Sequence, residues 1–152
     1  MTTLTALPPT IMLVDDEAPF VETMTKRLKA RDYKVFSANS GAEALKVLEE
    51  EGPRKMDVVI LDVKMPGMDG LEALALIKQK FPTVEVIMLT GHATVPNAVE
   101  GLKGGAFDYL MKPCDMDELV SKLNLAMQKK REHDAKIMEA QARAMALDKG
   151  ID

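Results

Sequence analysis

Asp15 and Asp16 close the apolar run at residues 11–14, and Asp62 closes a second run at residues 58–61. Thr90 ends the stretch VEVIMLT, and Lys112 ends AFDYLMK. An aspartate after an apolar run is ordinarily a turn residue or a helix cap. Here three carboxylates, one hydroxyl and one amine stand at the ends of four separate apolar stretches. Clustered carboxylates repel and raise one another's pKa values unless a cation joins them. A hard divalent ion such as Mg²⁺, which prefers oxygen ligands and keeps several waters, resolves that repulsion. An ammonium and a hydroxyl beside it suit a phosphoryl group, whose oxygens need positive charge and hydrogen bonds. Aspartate can itself be the nucleophile, forming an acyl phosphate.

For these groups to meet, the runs that carry them must be neighbouring strands. The aliphatic runs at 11–14 and 58–61, the alternating YKVFSA, and the stretches VEVIMLT and AFDYLMK read as five strands. Between them lie helical patterns: Phe20, Val21, Met24 and Leu28 with Pro19 in the first turn, then Ala44, Leu45 and Leu48 after a Ser40/Glu43 capping box. Gly52-Pro53 breaks the second helix. Leu71, Leu74 and Ile77 mark a third helix over 70–80, residues 95–103 a short fourth, and the chain from Met116 almost to Gly150 a long fifth. Strands alternating with helices imply an α/β fold, a doubly wound parallel sheet covered on both faces. In such sheets reactive groups collect beyond the carboxyl ends of the strands.

The segments IMLVDDE, VVILDVKMPGMDGLEAL, VIMLTGHAT and GAFDYLMKP resemble the receiver domain of two-component response regulators, over about residues 9–130. GHATVPNAVEGLKGGAFDYLMKP looks most like receivers of the nitrogen-regulation type of sigma-54 transcriptional activator. The resemblance implies a five-stranded flavodoxin-like sheet of order 2-1-3-4-5 and a role for each position. Asp62 would be the phosphoacceptor, supplied by the phosphohistidine of a sensor histidine kinase or a phosphotransfer protein. Asp16 would ligate Mg²⁺ directly and Asp15 mainly through water, with Asp62 and the backbone carbonyl of Lys64 completing the protein ligands. Thr90 and Lys112 would hold phosphoryl oxygens, Tyr109 would be the aromatic switch, and Pro113 would follow a cis peptide bond. Lys64 and His92 occupy places that tune phosphate lifetime in the family. Phosphorylation would then switch the face made by the fourth helix, fifth strand and fifth helix toward a downstream protein partner.

Two other readings use the same residues. An aspartyl-phosphate phosphohydrolase of the haloacid-dehalogenase type would carry a second aspartate two residues after the nucleophile, where this sequence has Lys64. A scaffold with an idle acidic site would need no such complete residue set. The expected protein is therefore a switch that turns over no external substrate, apart from its own phosphorylation and dephosphorylation at Asp62.

With 20 basic and 24 acidic residues, a net charge of −4 and one cysteine, the 152-residue chain lacks the basic excess of a nucleic-acid surface. It also excludes an internal disulfide and fits a reducing cytoplasm. No stretch approaches a membrane span, and the first residues lack a secretory signal. The expected organisation is a flexible leader at 1–9, a receiver at 10–130 and an extension of the fifth helix at 131–152. Along that extension Leu119, Leu123, Ala126, Lys130, His133, Ile137, Ala140, Ala144 and Leu147 follow heptad spacing. The alternatives are a solvated helix and a weak homodimer-forming coiled coil, in a stand-alone receiver or in the receiver-plus-linker part of a larger activator. The Lys129-Lys130-Arg131 run reads as a solvated face, and Cys114 as a spectator thiol.

Overall fold

The computed structural model describes residues 8–52 and 54–148. Most of the expected leader, Pro53 of the expected helix break, and the last four positions of the expected tail lie outside the described residues.

Five strands and five helices alternate: β1 (Thr10–Val14), α1 (Ala18–Lys29), β2 (Lys34–Ala38), α2 (Gly41–Glu51), β3 (Val58–Leu61), α3 (Gly70–Lys80), β4 (Glu85–Thr90), α4 (Val95–Lys103), β5 (Asp108–Met111) and α5 (Met116–Asp148). The strands form one parallel sheet in the order β2-β1-β3-β4-β5. The doubly wound order expected from the resemblance is borne out.

Side chains of a strand alternate between faces, and the core divides accordingly. Met12, Val14, Val59, Leu61, Val86 and Met88 pack with Ala44 and Leu48 of α2 and with Ala73, Leu74 and Ile77 of α3. Ile11, Leu13, Val58, Ile60, Ile87 and Leu89 pack with Met24 and Leu28 of α1 and with Leu119, Leu123 and Ala126 of α5. Burial on both faces explains why β1, β3 and β4 carry so few polar residues.

Local signals fix the helix starts. Ser40 Oγ accepts from the Glu43 N–H at 3.1 Å. Asp69 and Glu72 form a reciprocal capping box at α3, and Thr94 caps α4. Capping therefore falls to Asp69 rather than Asp62, which leaves the Asp62 carboxylate available to the site.

The reading of Lys129-Lys130-Arg131 as a solvated face is corrected. Lys130 is only 1% exposed, donates to the Arg54 carbonyl at 3.0 Å and pairs with Asp134. Arg131 donates Nε and an Nη to the two oxygens of Asp57, each at 3.1 Å. Lys129 lies 3.7 Å from the buried carboxylate of Glu85. The reason is topological: α5 runs past the amino edge of the sheet, where Asp57 and Glu85 present carboxylates that its basic turn offsets. Beyond this collar the helix is mostly exposed, with Ile137, Met138, Met145 and Leu147 on its surface.

Candidate functional site

At the opposite edge, the carboxyl ends of β1, β3, β4 and β5 deliver the singled-out side chains to one place. Carboxylate oxygens of Asp15, Asp16 and Asp62 lie within 4.8 Å of one another. Asp15 and Asp62 are buried, while Asp16 is exposed at the rim. Asp16, Asp62, Lys64 and His92 line one open cleft with Glu17, Met65, Pro66 and Asp69.

Asp62 is held from both sides. Its N–H donates to the Val14 carbonyl at 3.0 Å, and one carboxylate oxygen accepts from the Val63 N–H at 2.8 Å. The other oxygen lies 3.9 Å from Lys112 Nζ. Gly70 passes so close that a Cβ there would sit 2.0 Å from the Asp62 carbonyl oxygen. Gly70 is thus a close-approach glycine, whereas Gly67, at φ 76°, makes the turn.

Asp15 accepts from Lys112 Nζ at 2.7 Å and from the Glu17 N–H at 2.9 Å. Burial raises its carboxyl above the usual range, opposed by the Lys112 and Glu17 hydrogen bonds and reinforced by the charge of Asp62. Lys112 also donates to Glu17 Oε1 at 2.8 Å, and its Nζ lies 4.0 Å from the Phe20 ring centroid. Burial lowers the Lys112 pKa, but the hydrogen bonds to Asp15 and Glu17 outweigh it and leave the net shift upward. The Lys112–Pro113 peptide bond is cis.

Thr90 is fully buried, and its Oγ1 accepts from the His92 N–H at 3.0 Å. The Tyr109 ring is half-buried and packs against Gly101 of α4. Its hydroxyl is buried with no partner in hydrogen-bonding geometry among the described residues. Burial first, and then the charge of Asp62, push its phenol up, opposed by the Thr94 backbone. Burial, and secondarily Glu118, push the Cys114 thiol up to about 11, so at neutral pH it is protonated and poorly nucleophilic.

The structure therefore gathers Asp15, Asp16, Asp62 and Lys112 tightly, with Thr90 and Tyr109 on the adjoining strands. Glu17 was not singled out in the sequence, and Phe20 was read only as part of a helical pattern. The acid run Asp15-Asp16-Glu17 was the only signal, and it does not say which way the third acid turns. The oxygen-only donor set of the three aspartates fits a hard divalent cation.

Residues 11–124 match the model of the response regulator receiver domain. The chain belongs to this family. The transcriptional regulatory protein GlrR of Escherichia coli (strain K12) is 39% identical to this receiver over 121 residues, covering 80% of this chain and 27% of GlrR. The DNA-binding transcriptional regulator NtrC of the same strain is 38% identical over 117 residues, covering 77% of this chain and 24% of NtrC. The expected likeness to nitrogen-regulation receivers is borne out. Among solved structures, a response regulator receiver domain protein from Clostridium thermocellum superposes with a TM-score of 0.76 at 36% identity, over 81% of this chain and 97% of that one. The receiver described here spans about a quarter of the length of the curated relatives it matches. None of its described helices is long and apolar enough to cross a membrane.

Proposed function

We propose that this receiver is a phosphorylation-controlled switch whose phosphoacceptor is Asp62. The observation that carries the reading is the convergence of Asp15, Asp16 and Asp62 within 4.8 Å, with Lys112 hydrogen-bonded into the same cluster. An Asp62 oxygen attacks the phosphorus of a phosphohistidine on a sensor histidine kinase or phosphotransfer protein. The P–O bond forms as the P–N bond breaks, and the imidazole leaves with the electron pair. Asp15, Asp16, Asp62 and the Lys64 carbonyl would hold Mg²⁺, which when bound supplies positive charge to the phosphoryl oxygens. Lys112 supplies a second cation, and the Thr90 hydroxyl donates a hydrogen bond. Hydrolysis of the acyl phosphate resets the switch, so the chain turns over no external substrate.

The new group adds about −1.5 to −2 charges, by analogy with phosphoserine. Attraction of Thr90 and Lys112 toward it biases two arrangements of the face that carries Tyr109, α4 and β5. Val95, Val99, Leu102 and Met111 are exposed there, an apolar surface suited to a protein partner. The exposed apolar residues of the α5 extension suit a second copy of the chain. We place the protein in the cytoplasm, acting through protein contacts as a stand-alone receiver or as the receiver and linker helix of a transcriptional activator, without binding nucleic acid through this segment.

Asp62→Asn tests the site. It should abolish labelling by a small phosphoramidate in Mg²⁺, detected as the mass of one phosphoryl group, and undiminished labelling would place the acceptor elsewhere. Light scattering with and without beryllofluoride and Mg²⁺ tests the tail, and a monomer in both states overturns the homodimer.

A further inference from the structure

We propose that Glu17 is a positioning residue that holds the Lys112 ammonium off Asp62 and yields it when a phosphoryl group arrives. This deepens the phosphoacceptor reading above and rests on it. The ammonium has three N–H donors. Two are committed, to Asp15 Oδ2 at 2.7 Å and to Glu17 Oε1 at 2.8 Å. Asp62 Oδ2, at 3.9 Å, lies beyond hydrogen-bonding distance. The Phe20 ring, 4.0 Å from Nζ, adds a cation–π contact from the same end of α1. Three groups around the start of α1 therefore draw Lys112 away from the acceptor.

Glu17 is fixed for this task by its backbone, whose N–H donates to Asp15 Oδ1 at 2.9 Å. It also occupies the N-cap of α1 without making a side-chain capping bond. A capping role would have been served by Ser, Thr, Asp or Asn; here the longer side chain reaches Lys112 instead. To engage a phosphoryl oxygen on Asp62, Lys112 must give up or stretch one of its carboxylate bonds. The Asp15 side chain is 2% exposed and that of Glu17 is 63% exposed. Released Glu17 regains water, whereas released Asp15 would be left desolvated. The Glu17 bond is the one that exchanges.

Glu17→Gln keeps the size and removes the charge that competes for Lys112. Beryllofluoride with Mg²⁺ should bind this variant roughly three- to tenfold tighter than wild type, the weight of an exposed charge-assisted hydrogen bond. Before any mimic is added, the Lys112 Nζ resonance of the variant should have moved part-way toward the position it takes in mimic-bound wild type. Calorimetric binding of Mg²⁺ alone should not weaken. Glu17→Ala, which lacks any acceptor, should shift both readouts at least as far. A wild type that binds the mimic, with variants that bind it no better, overturns this inference alone. Weaker Mg²⁺ binding by Glu17→Gln also overturns it, marking Glu17 as part of the metal's surroundings. A wild type that binds no mimic overturns the phosphoacceptor reading and this inference with it.

Discussion

Gly70→Ala isolates how narrowly the Asp62 loop is built. The new Cβ would lie 2.0 Å from the Asp62 carbonyl oxygen and 2.8 Å from both the Asp62 carbonyl carbon and Val63 Cα. The closest contact falls about 1.4 Å short of ordinary van der Waals separation. All three neighbours are backbone atoms, so no rotamer change relieves the overlap. The Gly70 N–H also donates to the Val63 carbonyl at 2.6 Å, tying helix and loop together. The loop after β3 must therefore move by about 1 Å, at the residue proposed to accept the phosphoryl group. Overpacking of this kind costs about 1–3 kcal/mol, or roughly 2–12 °C in Tm for a chain of this length. A displacement of about 1 Å in reacting groups costs on the order of a hundredfold in rate. Labelling by a small phosphoramidate, measured well below the lowered Tm, should slow by one to two orders of magnitude. Gly41→Ala is the control, since its Cβ would meet chiefly the flexible Met68 side chain, the sulfur at 2.9 Å, and should leave labelling near wild type. A Gly70→Ala protein that labels within threefold of wild type and melts within about a degree of it would refute the close-approach argument.

Two further outcomes follow from buried charge. Asp134→Ala leaves the Lys130 ammonium with the Arg54 carbonyl alone; because Asp134 is partly exposed, about 2–3 kcal/mol of the unfolding free energy should be lost in urea titrations. Lys130→Met removes the charge itself and should cost under about 1 kcal/mol, and the reverse order would refute the assignment of Lys130 as a buried, paired cation. Asp15 has a folded-state pKa raised by burial above the usual 3.8, so the folded state binds its proton more tightly than the unfolded state. That contribution to stability is fully present below the unfolded pKa and is lost as pH rises through the folded value. Asp15→Asn should accordingly raise Tm at pH 7 in chelator, with the gain shrinking as pH falls toward 4; a gain that grows on acidification contradicts it.

Strands β1, β3 and β4 were legible because double-sided burial leaves a coarse mark, four consecutive apolar residues ended by a polar one, while their order came from the resemblance to receivers. The candidate site residues Asp15, Asp62 and Thr90 were legible for the same reason, each being the first polar residue after such a run. Three things were not. Lys130 sits in a basic triplet whose composition is that of a solvated turn, and its acceptor on Arg54 is 76 residues away. Only the path of α5 under the sheet brings them together. Glycine has two uses in a sequence, and at Gly70 only the packing of α3 on Asp62 distinguishes close approach from positive φ. Glu17 looked like one more acid, since its side chain takes its direction from Lys112, 95 residues away.

These hidden contacts share one geometric consequence. Asp57 directly precedes β3, the strand that ends at Asp62, and Glu85 opens β4, the strand that ends at Thr90. The basic turn of α5 holds both: Arg131 grips Asp57 with two hydrogen bonds, and Lys129 faces Glu85. Between its collar and its start, α5 also buries Leu119, Leu123 and Ala126 against the same sheet. The helix that leaves the domain is therefore fastened to the amino ends of the two strands whose carboxyl ends carry Asp62 and Thr90. Close-packed strands transmit a displacement rather than absorb it. Any relative shift of β3 and β4 that accompanies phosphorylation must then move the anchor points of the extension, or break the bonds that hold it there.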